Sequence, residues 1–233
     1  MTTTSTSPPS SSEIGRRLAL IRERIAAAGG ADVEILAVTK TFGLPEVLAA
    51  REAGLRAVGE NYAQEVVAKF GSAGSAAGKL DIAVHFIGQL QTNKVRQLVG
   101  LVDVVESVDR PSLVDELAKR MPGLRVLVQV DTSGDPGKGG CPVADVDALV
   151  ERAGAKGLDV AGLMTVGPTE GGPEAARAGF RTVRAMVDRL GLAVCSMGMS
   201  DDLEVAVGEG ATEVRIGSAL FGPRVRPGDR PVG

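Results

Sequence analysis

Apolar positions along the chain alternate between two periods. Short, continuously apolar runs rich in β-branched residues recur at 33–39, 56–59, 83–87, 102–107, 125–130, 160–165, 193–197 and 213–216. A strand covered on both faces carries apolar side chains on both, so these runs read as buried parallel strands. Between them the spacing changes to three and four residues. The first such segment, 13–28, puts Ile14, Leu18, Ile21 and Ile25 on one helical face and is stopped by Gly29-Gly30. Helices are likewise predicted over 45–53, 61–70, 92–101, 111–120, 143–155, 173–190 and 201–208. Pro45 and Pro111 suit helix starts, and Asp109 reads as an N-cap for the helix at 111.

Strand–helix alternation through eight strands predicts an α/β fold, a single (β/α)8 TIM barrel. A doubly wound open sheet is the rival. It wants a Gly-rich turn after the first strand, and Thr39-Lys40-Thr41 stands there instead. No internal repeat and no linker divides the chain. The expected organisation is a disordered tail over 1–12, a barrel over 13–224 and a C-terminal tail over 225–233. The first tail is almost all Thr, Ser and Pro, too polar to bury a core.

Composition narrows the chemistry. The 233 residues carry 26 Lys+Arg against 29 Asp+Glu, a net charge of −3, with 3% aromatics. That balance argues against a broad nucleic-acid surface. One histidine, His85, excludes centres needing two or more, and two cysteines exclude a four-thiolate zinc site or cluster. No metal is expected. The first dozen residues lack the apolar stretch of a signal peptide, and no apolar run reaches the length of a membrane span. Two cysteines without a secretory signal read as reduced thiols, hence a cytoplasmic location.

Barrel chemistry sits at the C-terminal ends of the strands, with phosphate sites after strands seven and eight. Lys40 ends strand one behind an apolar run. It is either a reactive amine, activated by partial burial and able to attack a carbonyl, or a lysine snorkelling at the rim. Asn61, after strand two, either meets a ligand or caps the next helix. His85, inside strand three, reads first as a satisfied core residue. The run 89–94, dense in amides and hydroxyls, either lines the mouth or caps a helix. Met164 and Thr165 end strand six; Met164 either packs the core or presses on a flat ring. Strand seven ends in Ser196-Met197-Gly198-Met199-Ser200, and strand eight in Arg215-Ile216-Gly217-Ser218. Gly and hydroxyls on these two adjacent turns make a phosphate basket, with Arg215 adding a permanent charge. The run 135–140 is Gly-rich without nucleotide-loop spacing and reads as a mobile turn. A lysine facing a phosphate basket suits a phosphorylated aldehyde, a description that pyridoxal 5'-phosphate (PLP) meets.

These segments resemble the pyridoxal phosphate homeostasis (PLP-binding) protein family. The resemblance is carried by Ala37-Val38-Thr39-Lys40-Thr41, Gly59-Glu60-Asn61-Tyr62-Ala63-Gln64-Glu65 and the run from His85 to Lys94. Gly162-Leu163-Met164-Thr165, the run from Ser196 to Asp202 and that from Val214 to Gly222 complete it. It implies a fold like the N-terminal barrel domain of alanine racemase. It implies a Schiff base on Lys40, with Ser200, Gly217 and Ser218 on the phosphate and Arg215 at the pyridine nitrogen. Asn61 and Met164 would flank the ring; His85 and Ser196 are possible further contacts. An arginine at the ring nitrogen keeps it unprotonated and weakens the ring as an electron sink.

Three functions fit these residues. A PLP-holding protein would buffer the cofactor and hand it to apo PLP-dependent enzymes. An amino-acid racemase needs a base on each face of the α-carbon. The only tyrosine, Tyr62, starts a helix, and the chain ends just after its eighth strand, so the second, β-rich domain of alanine racemases is not expected. A barrel binding some other phosphorylated metabolite without covalent chemistry is the third. The homeostasis role is the expectation, for a monomer or weak dimer with PLP as its ligand and neither nucleic acid nor membrane as partner.

Overall fold

The structure, a computed structural model, describes residues 9–30, 32–71 and 80–222. Eight parallel strands close into a barrel: β1 (Glu34–Val38), β2 (Ala57–Glu60), β3 (Ala83–Phe86), β4 (Val104–Val108), β5 (Arg125–Asp131), β6 (Asp159–Thr165), β7 (Val194–Ser196) and β8 (Glu213–Ile216). Each pairs with the next in sequence, β1 pairs with β8, and β4 pairs with β5 through Val105↔Val126, which closes the ring. A further two-residue strand, Cys141–Pro142, attaches beside the C-terminal end of β5. The predicted TIM barrel is therefore the observed fold.

The first helix, α1 (Ser11–Ala27), buries Ile14, Leu18, Ile21 and Ile25 as the spacing predicts. It begins earlier than expected, because the Ser10 hydroxyl accepts from the Glu13 amide and caps it. Ser11 and Ser12 thus leave the expected tail. Residues 1–8 of the first tail, the whole C-terminal tail 225–233 and the last two positions of the expected barrel, 223–224, lie outside the described residues. α1 packs on α2 (Leu44–Glu52) and on the last two helices among the described residues, α7 (Leu203–Gly208) and α8 (Ser218–Phe221), where the barrel's last unit meets its first.

The remaining helices depart from expectation in instructive ways. α3 is Ala63–Phe70, because Tyr62 is extended and Asn61 stays outside the helix. The segment predicted over 92–101 is a 3-10 helix, Thr92–Gln97. Val95 within it and Leu98 at its C-cap are both buried and three apart, the period of a 3-10 turn rather than an α-helix. α4 is Pro111–Arg120, but its N-cap is Arg110 with no side-chain bond. Asp109, the expected cap, pairs with the Arg110 guanidinium at 2.5 Å instead. α5 (Val146–Ala155) and α6 (Arg177–Leu190) each follow a short 3-10 turn. Among the described residues no helix is long and apolar enough to cross a membrane.

Strand side chains alternate between faces. On β8, Val214 and Ile216 join the apolar core beneath the helices, while Glu213 and Arg215 are buried on the other face. Glu106, Gln129 and Ser196 are also buried. They join Glu213 and Arg215 in a polar interior inside an apolar shell.

Candidate cofactor site

A cavity of about 360 Å³ opens at the C-terminal ends of the strands. Lys40, Asn61, Ser200, Arg215, Gly217 and Ser218, from four separate strand ends, all line it. Its size lies within the range of small-molecule sites, roughly 300–1,000 Å³.

Lys40 stands two residues past the end of β1, half-buried. The chain turns there: the Phe42 amide donates to the Thr39 carbonyl at 3.0 Å, and Thr41 takes a left-handed φ of +68°. Asn61 lies outside α3, and its Oδ1 is buried with no protein partner. Next to it, Gly88 lets two strand ends touch; a Cβ there would sit 2.0 Å from the Asn61 carbonyl oxygen.

The two turns expected to form a basket do meet. Gly198 has φ +90°, and a Cβ on it would lie 2.4 Å from Ala206 Cβ, so only glycine lets this turn fold back toward α7. The turn is held by the Met199 amide, which donates to Asp202 at 2.5 Å. Ser200 is therefore not the cap of α7; Asp202 is, and Ser200 lines the cavity. Gly217 and Ser218 line it from the end of β8.

Arg215 rises from the barrel interior, 4% exposed. One nitrogen donates to Ser196 Oγ at 2.9 Å and another to the Thr165 carbonyl at 2.7 Å. Ser196 donates to Glu106 at 2.8 Å, and the other Glu106 oxygen lies 2.7 Å from His85 Nδ1. Ser196 and His85 therefore stand behind Arg215 and do not line the cavity. Burial pushes the Glu106 carboxyl up, but the His85 bond and charge, Arg215 and Ser196 outweigh it and hold it low. Burial lowers His85, and Glu106, Glu213 and Asp103 outweigh that and raise it. Burial, then the Glu106 charge, push Glu213 up to about 8. Ligand atoms of His85, Glu106 and Glu213 lie within 4.8 Å of one another. His85 and Glu106 already bond to each other.

Two expectations change. Met164 is buried in β6 and does not line the cavity. Strand alternation puts Val166 on the same side but nearer the mouth, and Val166 takes the lining position. The run 135–140, expected as a mobile turn, is tied down. Gln89 donates to the Gly137 carbonyl at 2.7 Å and Gln129 to the Lys138 carbonyl at 2.9 Å. Asp135 accepts from Lys138 and from the Thr169 amide, each at 2.7 Å, which holds its carboxyl down at about 2. Gly137, Lys138, Gln89 and Gln129 thereby line the cavity. Sequence reasoning missed Lys138 and Gln129. The available signals were a lysine within a Gly-rich run and a lone amide in an apolar strand.

The site presents an amine, hydroxyl donors, a buried guanidinium and an unsatisfied acceptor. This set can take a phosphate at one end and a carbonyl at the other. A sequence profile described as alanine racemase, N-terminal domain, matches residues 10–225. A Pseudomonas aeruginosa protein named pyridoxal phosphate homeostasis protein is 42% identical, over 91% of this chain and 94% of that protein. One of the same name from Aquifex aeolicus is 40% identical, over 89% and 97%. The solved structure of PipY from Synechococcus elongatus with PLP bound superposes with a TM-score of 0.77 at 30% identity, covering 90% of this chain and all of that one (100%). On this fold, this cavity and this extent of likeness, the chain belongs to the pyridoxal phosphate homeostasis protein family.

Proposed function

We propose that this protein binds PLP covalently through Lys40 and serves in PLP homeostasis, holding the aldehyde and releasing it to apo PLP-dependent enzymes. The observation that carries the reading is the convergence of Lys40, Arg215, Ser200 and Ser218 on one cavity. The orphaned Asn61 Oδ1 fits a ligand that brings its own donor or ring edge.

When bound, PLP supplies an aldehyde that condenses with an amine and a ring that can accept electrons. The protein's residues do the rest. Ser200, Ser218 and the backbone at Gly217 would hold the phosphate. The Lys40 amine would hold the aldehyde. Arg215, fixed by Ser196 and Thr165, would keep a positive charge at the ring nitrogen and so disfavour protonation there. Asn61, Ile87 and Val166, which line the cavity, would bound the ring.

The same geometry favours holding over turnover. Tyr62 is 54% exposed and does not line the cavity, so it offers no second base opposite Lys40. The working setting of this reading is the cytoplasm, with the protein a monomer or weak dimer.

The test is direct. Protein mixed with PLP turns yellow, and borohydride then fixes the cofactor mass on the peptide carrying Lys40. A colourless protein that takes up no PLP overturns the reading. Exchange of the α-hydrogen of alanine is expected to be negligible, and robust exchange would replace the binding role with a catalytic one.

A further inference from the structure

Away from the cavity, one buried charge cluster is joined to both neighbours of Lys40. Lys69 of α3 is 7% exposed at its side chain and pairs with the fully buried Glu60 at 2.7 Å. The same ammonium donates to the Thr39 carbonyl at 2.7 Å and lies 3.4 Å from Glu65 Oε2. That Glu65 oxygen accepts from the Thr41 amide at 2.8 Å. Glu60 also accepts from Thr39 Oγ1 at 2.5 Å. One helix, α3, therefore grips the peptide before Lys40 through Lys69 and the peptide after it through Glu65.

Packing alone does not explain this arrangement. A buried ion pair loses most of its Coulombic gain to desolvation, and apolar residues of similar size stabilise a core as well or better. Apolar residues could not, however, hold a carbonyl on one side of Lys40 and an amide on the other. The amide in question belongs to Thr41, a β-branched residue at φ +68°, a conformation that persists only where its surroundings impose it. Glu65, which accepts from that amide, helps to hold it. The direction in which residue 40 leaves the strand follows from those two flanking peptides.

We propose that Glu65, anchored by Lys69, is a positioning residue for the Lys40 amine, aiming it at the aldehyde of the bound cofactor. This rests on the reading of Lys40 given above. The reaction served is condensation: the amine nitrogen forms a double bond to the aldehyde carbon, and the aldehyde oxygen leaves as water. Attack needs the amine near and in line, so misdirection slows bond formation while leaving phosphate capture intact.

Glu65 is the residue to change, because it is partly exposed, whereas removing Lys69 would strand the buried Glu60 carboxylate. Glu65→Ala and Glu65→Gln are compared with the wild type in two measurements on the full chain. The first is the rate at which the visible band appears on mixing with PLP. The second is the affinity for pyridoxine 5'-phosphate, which has an alcohol in place of the aldehyde and cannot condense. Glu65→Ala should slow the band by about tenfold or more, with affinity for the alcohol within about twofold of wild type. Glu65→Gln should recover most of the rate, since its amide oxygen can still accept from Thr41. An Ala variant with the wild-type rate overturns the proposal. So does equal loss of both ligands, which would mark a general support of the pocket, or a Gln variant no better than Ala. Wild-type protein that binds pyridoxine phosphate but forms no band with PLP overturns the Lys40 reading itself, and this proposal with it.

Discussion

Arg215 and Ser196 are joined inside the barrel by a 2.9 Å hydrogen bond that places a guanidinium at the floor of the cavity. The serine does not touch the cavity. It relays the negative charge of Glu106 to the arginine, accepting from one and donating to the other. Ser196→Ala would leave Arg215 and Glu106 each short of a partner in a buried site. The loss is expected to be about 1–3 kcal/mol, read from the midpoint of urea unfolding, with a several-fold weaker hold on PLP. An unchanged midpoint would show that the relay contributes nothing.

A pH dependence follows from Glu213. Burial and the Glu106 charge push its carboxyl from the ordinary 4.5 up to about 8, and one of its oxygens has no partner. Between those values the folded protein keeps a proton that the unfolded chain has released. The contribution is therefore fully present below 4.5 and is lost as pH rises through about 8. The raised His85 acts in the same direction. Unfolding free energy measured from pH 5 to 9 should fall as pH rises toward about 8 and level off above it. Glu213→Gln, neutral throughout, should flatten that fall by at least about 1 kcal/mol. Parallel curves for the two proteins would contradict the assignment.

Gly198 is a position where a methyl group cannot fit. At φ +90°, with Ala206 Cβ 2.4 Å from the added carbon, Gly198→Ala must move the turn that carries Ser200. Destabilisation of about 1–3 kcal/mol is expected, together with weaker PLP retention, in thermal melts and equilibrium dialysis. Wild-type retention in this variant would detach the turn from the site.

Ser200→Ala and Ser218→Ala test the basket without disturbing the fold, since both side chains border the cavity. A hydrogen bond to a charged group contributes about 1.5–3 kcal/mol, so each change should weaken PLP retention by roughly tenfold or more. Far-UV circular dichroism should stay as in the wild type. Undiminished affinity would remove these hydroxyls from the phosphate site.

The element order and the barrel were legible in the chain, because strand and helix periodicity are written in adjacent residues. Ile14, Leu18, Ile21 and Ile25 announce α1 without help from anything distant. The position of chemistry was legible as far as the fold rule reaches: strand ends nominated Lys40, Asn61, Ser200, Arg215 and Ser218, and all of them line one cavity. Local signals failed at helix boundaries. There one extended residue, Tyr62, or one competing ion pair, Asp109 with Arg110, decides the cap.

Tertiary structure alone decided the rest. A single Glu106, Gln129 or Glu213 in an apolar strand has no local partner that would declare its role. Ser196 meets Glu106 across 90 residues of sequence, and only because the ring closes between β4 and β5. The Gly-rich run at 135–140 looks loose as a string; Gln89, in the loop after β3, and Gln129 of β5 bring it over the cavity. Periodicity records which face a residue takes on its own element. Which residues then meet depends on the closure and register of the barrel, and buried polar groups settle on those meetings because leaving them unpaired is so unfavourable.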